Sequence, residues 1–295
     1  MLVSNFYRDV LPLLSPESKT PWSLGRFIVN VGLKPLSEDS KKFDFDANMT
    51  LFHEHKLRLR KSSHSRCYFP EYDRLTPDEI NQIVKVLHSQ IPNEMKESFR
   101  SFYKSQSDYI RDDFDALCLF VQEDIAIWKR SDDKADEWLS AIHLHSPNHW
   151  AAEDKIGKSF QDVHRPVPHI DNISKIALKL FDQCVGRGVQ QRVAWGLATD
   201  CMLDHHPRIG EKGRSFDKAD PELYVRIERQ LIIPVDGNEN LLIFTIRTYF
   251  VDCRHLNFED RKSISECVAS MDDRLLQYKG MIESRDEIVK FLLSL

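Results

Sequence analysis

The 295-residue sequence contains no run approaching the roughly 18 apolar residues of a membrane-spanning helix, so no membrane segment is expected. Its six cysteines stand far apart, at 67, 118, 184, 201, 253 and 267, without a CxxC pair. That spacing excludes a zinc-finger or iron–sulfur framework and suits reduced thiols. There is no excess of positive charge either: 41 Lys and Arg face 46 Asp and Glu, for a net charge of -5. A dominant contact with a phosphate backbone wants a basic face, so nucleic acid is not expected as a partner. GxSxG, P-loop, GxGxxG and HExxH patterns are all missing, which removes motif support for hydrolase, nucleotide-binding and zinc-protease chemistry. The opening MLVSNFYRDVLPLL carries Asp9 and a proline inside its apolar stretch, unlike a signal peptide, and the cytoplasm is the expected location.

What is present is a globular composition, 41% hydrophobic and 29% charged, with enough chain to bury a core without staples. Residues 25–35 alternate Phe27, Val29, Val31 and Leu33 and predict an early strand ending at Lys34-Pro35. Thr76-Pro77-Asp78-Glu79 supplies an N-cap, a first-turn proline and a capping-box glutamate ahead of Ile80, Ile83, Val84, Leu87 and Ile91 at helical spacing. A further helix is expected over 174–185, strands over about 189–198, 222–233 and 241–251, and closing helices near 259–277 and 284–294. The simplest account is a single α+β domain over 1–295 with flanking helices.

Two of these strands form a hairpin. Leu223, Val225, Ile227 and Leu231 alternate with Tyr224, Arg226, Glu228 and Gln230, and Leu242, Phe244, Ile246 and Phe250 alternate with Thr245, Arg247 and Tyr249. The Asp236-Gly237 turn signal between them predicts antiparallel pairing. A two-residue turn would pair even positions with odd ones, placing Arg226 and Glu228 on one face with Thr245, Arg247 and Tyr249. That face is either a solvated surface with cross-strand ion pairs or one wall of a polar pocket. Among twelve histidines, the spacings of His143, His145 and His149, or of the pair His205-His206, are weakly specific for a metal. His164 differs, because Pro166 and Pro168 restrict the backbone just after it and could hold an imidazole in a fixed direction, as an axial ligand requires.

An ordered set of landmarks runs along nearly the whole chain. They are Val31-Gly32-Leu33-Lys34-Pro35-Leu36, Gln122-Glu123-Asp124, Pro147-x-x-Trp150 with Lys155-x-Gly157, His164-x-Pro166-Val167-Pro168, Glu228-Arg229-Gln230, Phe244-Thr245-Ile246-Arg247-Thr248-Tyr249 and Tyr278-Lys279-Gly280. In this order they resemble the heme-binding α subunit of the heme-dependent oxidative N-demethylases. The resemblance implies a PAS-like antiparallel sheet with helices over one face and heme held against it, with O2 and a small amine as substrates. It also implies electrons from a separate flavin and iron–sulfur reductase subunit.

On this resemblance His164 is the expected iron ligand. Trp150, Lys155, Arg192, Trp195 and Arg226 are expected around the cofactor, and Arg247, Glu228 and Tyr249 on the distal side, with Glu228 as the acidic partner of Arg247. The alternative from another class is a non-catalytic, gas-sensing heme protein. One strand departs from the family pattern: where an Arg-x-Asn-Trp run is expected, the chain reads Arg192-Val193-Ala194-Trp195. Losing that amide makes the pocket less polar and puts dimethylamine as substrate in doubt. Ile232-Ile233-Pro234 also stands where basic and proline residues are the pattern, which bears on a partner contact.

Overall fold

The alternating stretches become the two longest strands, β6 (Tyr224–Val235) and β7 (Asn238–Asp252), paired antiparallel. The computed structural model describes residues 2–14, 20–29, 32–169, 177–209 and 213–295. To these strands it adds β1 (Lys34–Pro35), β2 (Glu71–Tyr72), β3 (Asp124–Arg130), β4 (Glu137–His143) and β5 (Gln190–Ala198). All seven form one sheet in the order β1-β5-β6-β7-β3-β4-β2, with every pairing between them antiparallel. With the helices this gives the expected α+β class.

The register departs from the expectation, and one residue explains it. Val235 pairs with Asn238 around the anticipated Asp236-Gly237 turn, where Gly237 takes φ +77°. The ladder then shifts by three residues between Val235 and Pro234, so that Pro234 faces Leu242 and Glu228 faces Thr248. Proline has no N–H to give the ladder, and a bulge is where a strand accommodates that loss. Even positions therefore pair with even ones. Arg247 and Tyr249 consequently lie on the opposite face from Arg226 and Glu228, which corrects the shared face read from the sequence.

The face carrying Val225, Ile227, Arg229, Leu231, Ile233 and Val235 is buried at each of these positions. Two apolar cores cover it. One joins Val225, Ile227, Tyr249 and Val251 to Phe6, Trp22 and the C-terminal helices. The other joins Leu231, Ile233, Ile243 and Ile127 to the helices α1 (Met49–Arg60), α2 (Pro77–Ser89), α3 (Lys96–Ser105) and α4 (Asp113–Phe120) or their flanks. At about 1.5–3 kcal/mol per fully buried aliphatic side chain, this burial fixes which face points inward.

Helix α2 forms as its capping box requires, with Thr76 Oγ1 accepting from Glu79 N and Glu79 Oε2 accepting from Thr76 N. The expected early strand is reduced to Lys34–Pro35, an edge position where a missing N–H is tolerated, while Phe27 and Val29 pack against the first core as irregular chain. Val31 lies outside the described residues. The later helix is described over Ala177–Arg187, its expected start at 174–176 falling outside the described residues. The closing helix is two, Phe258–Ala269 and Asp273–Tyr278, because Asp272 caps a fresh start. Among the described residues no helix is long and apolar enough to cross a membrane.

Candidate site on the half-open face of the sheet

The other face is covered at its ends and half-exposed in the middle. Helix Ala177–Arg187 packs Phe181 and Cys184 onto Leu242, Ile232 and Trp128 at one end. The segment after β4 lays Trp150, Ile156 and Val163 onto Ala126, Leu139 and Phe244. Between them, Arg192, Ala194 and Gly196 of β5, Glu228 of β6 and Phe244 and Ile246 of β7 remain half-buried. Their cross-strand partners put Arg192 beside Gln230, Ala194 beside Glu228 and Gly196 beside Arg226.

His164 enters this region at the end of a short helix, Phe160–His164, whose placement is fixed at several points. Ser159 caps it by accepting from Asp162 N, and the carboxylate of Glu137 accepts from Phe160 N at 2.8 Å. Gly157, at φ +75°, bonds back to Leu139 O at 2.8 Å, and an added Cβ there would stand 3.2 Å from the Asp73 carboxylate. Lys155 donates to Val163 O, so it braces the turn that carries His164.

The imidazole Nδ1 donates to Phe160 O at 2.8 Å and the ring stacks on Phe160 at 4.1 Å. Nε2 has no hydrogen-bond partner among the described residues. Burial pushes His164 down to about 4, the bond to Phe160 opposing it and the Arg192 and Lys155 cations adding to it. A neutral ring with Nδ1–H committed to a carbonyl and Nε2 free is the form that ligates a metal.

Arg226 is buried. Its guanidinium donates to Ser146 O at 2.9 Å and Thr248 Oγ1 at 3.3 Å, and its Nε donates to Glu228 at 3.3 Å. Glu228 also accepts from Gln230 Nε2 at 2.9 Å. It is thus the acidic partner of Arg226, and the anticipated Glu228–Arg247 pair does not form. Among the described residues Arg192 has no ion-pair or hydrogen-bond partner, and its Nε is fully enclosed.

Three expected site residues lie on the sealed face instead. Trp195 meets Trp22 edge-on at 5.6 Å and Phe27 at 5.4 Å. Arg247 pairs with Asp46 at 2.7 Å, donates to Thr248 O at 2.5 Å and stacks on Phe52. Tyr249 donates to Asp44, which also pairs with Arg229 at 3.3 Å. Arg229 and Arg247 are direct cross-strand neighbours, and such like-charge pairs destabilise unless answered. Asp44 and Asp46 answer them one for one.

The alternative histidines are on that sealed side too. His143 Nε2 bonds Asp115 at 2.9 Å beside Arg60, and His145 stacks on His143 at 4.4 Å. Cys67, Glu153 and His206 bring one donor atom each within 4.8 Å of one another. Glu153, however, is paired with Arg208 and accepts from His206, so internal bonds account for that group.

Residues 40–289 match the family described as "Haem-dependent oxidative N-demethylase, alpha subunit-like". The chain belongs to this family. The family name carries heme as cofactor, an oxidative demethylase class of enzyme and an α subunit, hence a partner subunit. Sequence reading missed Lys279, Trp128, Phe244 and Ile246 as residues of the half-open region. The lone Gly196 inside a strand was the available signal, since such a glycine marks a close approach, here to Lys279.

Proposed function

We propose that the half-open face holds heme, whose iron His164 Nε2 would bind, and that the chain is a single heme-binding domain oxidising a small amine with O2. The observation that carries this reading is the state of His164: neutral, braced through Nδ1 and without a partner for Nε2 among the described residues. Two further observations fit heme, namely the unpartnered guanidinium of Arg192 and the small residues Ala194 and Gly196 on the sheet surface. The PAS-like reading is supported by five consecutive antiparallel strands, β3 to β7. In their own sequence order these stand as 2-1-5-4-3, with helices bridging the second and third.

Heme bound there supplies a redox-active iron for dioxygen chemistry. Trp150, Trp128 and Phe244 provide an apolar wall that limits water. Glu228 presents a carboxylate, held by Arg226 and Gln230, that accepts hydrogen bonds from a protonated amine and orients it. Tyr249 is not suited to proton transfer here, because burial pushes its hydroxyl pKa well up. Arg247 and Tyr249 therefore act in this reading by holding the sheet to the 44–46 segment. Electrons come from a flavin and iron–sulfur partner.

Heme reconstitution of wild type and His164→Ala tests the ligand. The wild type is expected to show a Soret band and amine-dependent O2 consumption once a reductase is supplied. The variant is expected to lose the band, or shift it, with the heme-free Tm preserved. An unchanged spectrum in the variant removes His164, and a wild type that binds heme and O2 but turns over no amine removes the enzyme reading.

A further inference from the structure

Every buried cation on the sealed face has an acceptor. Lys56 donates to the carbonyls of Cys118, Val121 and Glu123. Arg229 has Asp44, Gln191 and Lys41 O, Arg247 has Asp46, and Arg60 has Asp115. On the half-open face Arg226 and Lys155 are likewise occupied. Among the described residues two cations are not.

Arg192 makes no hydrogen bond or ion pair. Among the described residues Lys279 has no hydrogen bond or ion pair either, and its ammonium lies near two rings, 5.2 Å from the centroid of Phe27 and 5.8 Å from that of Tyr278. The lysine is placed deliberately by its backbone. Helix Asp273–Tyr278 ends at Lys279 as C-cap, with Lys279 N bonded to Leu275 O at 2.9 Å and Gly280 at φ +68° turning the chain away. The ammonium then rests over Gly196, where an added Cβ would stand 3.2 Å from Nζ. A desolvated cation without a partner is costly, and a fold retains one where a ligand anion completes it.

Arg192 and Gly196 lie on one strand and one face, four residues apart, or about 13 Å at 3.3 Å per residue. The two free cations thus stand at separate points along the same exposed strip as His164. Glu228 is the acid whose charge reaches both, yet it pairs with neither: the hydrogen bonds its two oxygens accept come from Arg226 and Gln230.

We propose that Arg192 and Lys279 form a two-point anchor for the carboxylates of the bound porphyrin, one cation to each propionate. This rests on the heme reading and extends it to how the cofactor is oriented. A carboxylate could also arrive on the substrate, as in an N-methylated amino acid, and the experiment separates the two sources.

Heme-free protein is titrated with hemin and with hemin dimethyl ester, following the Soret band, for wild type, Arg192→Met, Lys279→Met, Lys279→Arg and the double Met variant. Methionine keeps the apolar stem, and Tm reports folding. Wild type is expected to prefer the diacid at least tenfold, each single Met variant to lose severalfold of that preference, and the double variant to lose it entirely with ester affinity unchanged. Lys279→Arg retains most of the preference, and added salt weakens only diacid binding.

Equal binding of diacid and ester by wild type, or an undiminished preference in the double variant, overturns the anchor while leaving the heme site standing. The anchor is also overturned if N-methylglycine shifts the wild-type spectrum, fails to do so in the variants, and the diacid preference persists throughout. Failure of wild type to bind either porphyrin overturns the heme reading and the anchor together.

Discussion

The two faces of one sheet treat the same residue types in opposite ways. On the sealed face Arg229 and Arg247 are opposed across the strands, yet each reaches its own aspartate, and apolar cores close over both ends of the belt. On the half-open face Arg192 and Lys279 make no ion pair and His164 Nε2 no hydrogen bond among the described residues. Completed charge belongs to structure, because nothing further is needed to stabilise it. Incomplete charge marks the place where something else binds. The comparison separates Arg247 from Arg192, which are equivalent in sequence terms as alternating arginines on strands.

The largest expected effect breaks the sealed face. Arg247→Leu leaves Asp46 without its cation and removes the hydrogen bond to Thr248 O. It should destabilise the heme-free protein by about 3 kcal/mol, the low end for breaking a buried pair because Asp46 still reaches solvent. Chemical denaturation measures this, while heme bound per folded molecule stays at the wild-type level. A loss of heme without loss of stability would place Arg247 at the cofactor and erase the distinction between the faces.

The matching change on the other face has the opposite sign. Arg192→Leu removes a charge whose desolvation outweighs the pull of Glu228 and which has no ion pair among the described residues, and should leave the heme-free protein as stable as wild type or more so, by up to about 1 kcal/mol, the usual gain where function holds an unfavourable group. A Tm fall comparable to that of Arg247→Leu would show that Arg192 has a structural partner after all.

The smallest effect sharpens the comparison through pH. Glu123, buried on the sealed side, accepts from Asp44 N with one oxygen while the other has no partner. Burial pushes it up to about 7, with Asp44 adding to the rise. A carboxyl raised in the folded state contributes stability that is complete below its unfolded pKa and is lost as pH climbs through about 7. Glu123→Gln should therefore flatten the decline in Tm of heme-free protein between about pH 4.5 and 7. An unchanged slope would assign that decline to another group, and Glu137, also pushed up to about 7 by burial, is the next to test.

Several elements were legible because local chemistry decides them. The capping box at Thr76 starts its helix whatever the rest of the chain does, and alternation over 224–235 and 238–252 marks strands. The Asp236-Gly237 turn appears where it was read. His164 stood out through its prolines, and the structure adds the Phe160 carbonyl that orients the ring. Helix Met49–Arg60 was opaque, since its polar stretch hides Phe52, Lys56 and Arg60, each buried only because other segments close over it.

What the sequence determined by itself was the class of fold, the strands and their turn, and the family, all consequences of local pattern or motif order. Only the tertiary structure decided which arginines are answered and which are free. The three-residue shift beside Pro234 moved Arg247 and Tyr249 to the sealed face, and segments far away in the chain supplied Asp44, Asp46 and Lys279. A strand's period of two says that neighbours point to opposite sides, but register says which residues share a side. Register depends on a hydrogen bond that proline cannot make.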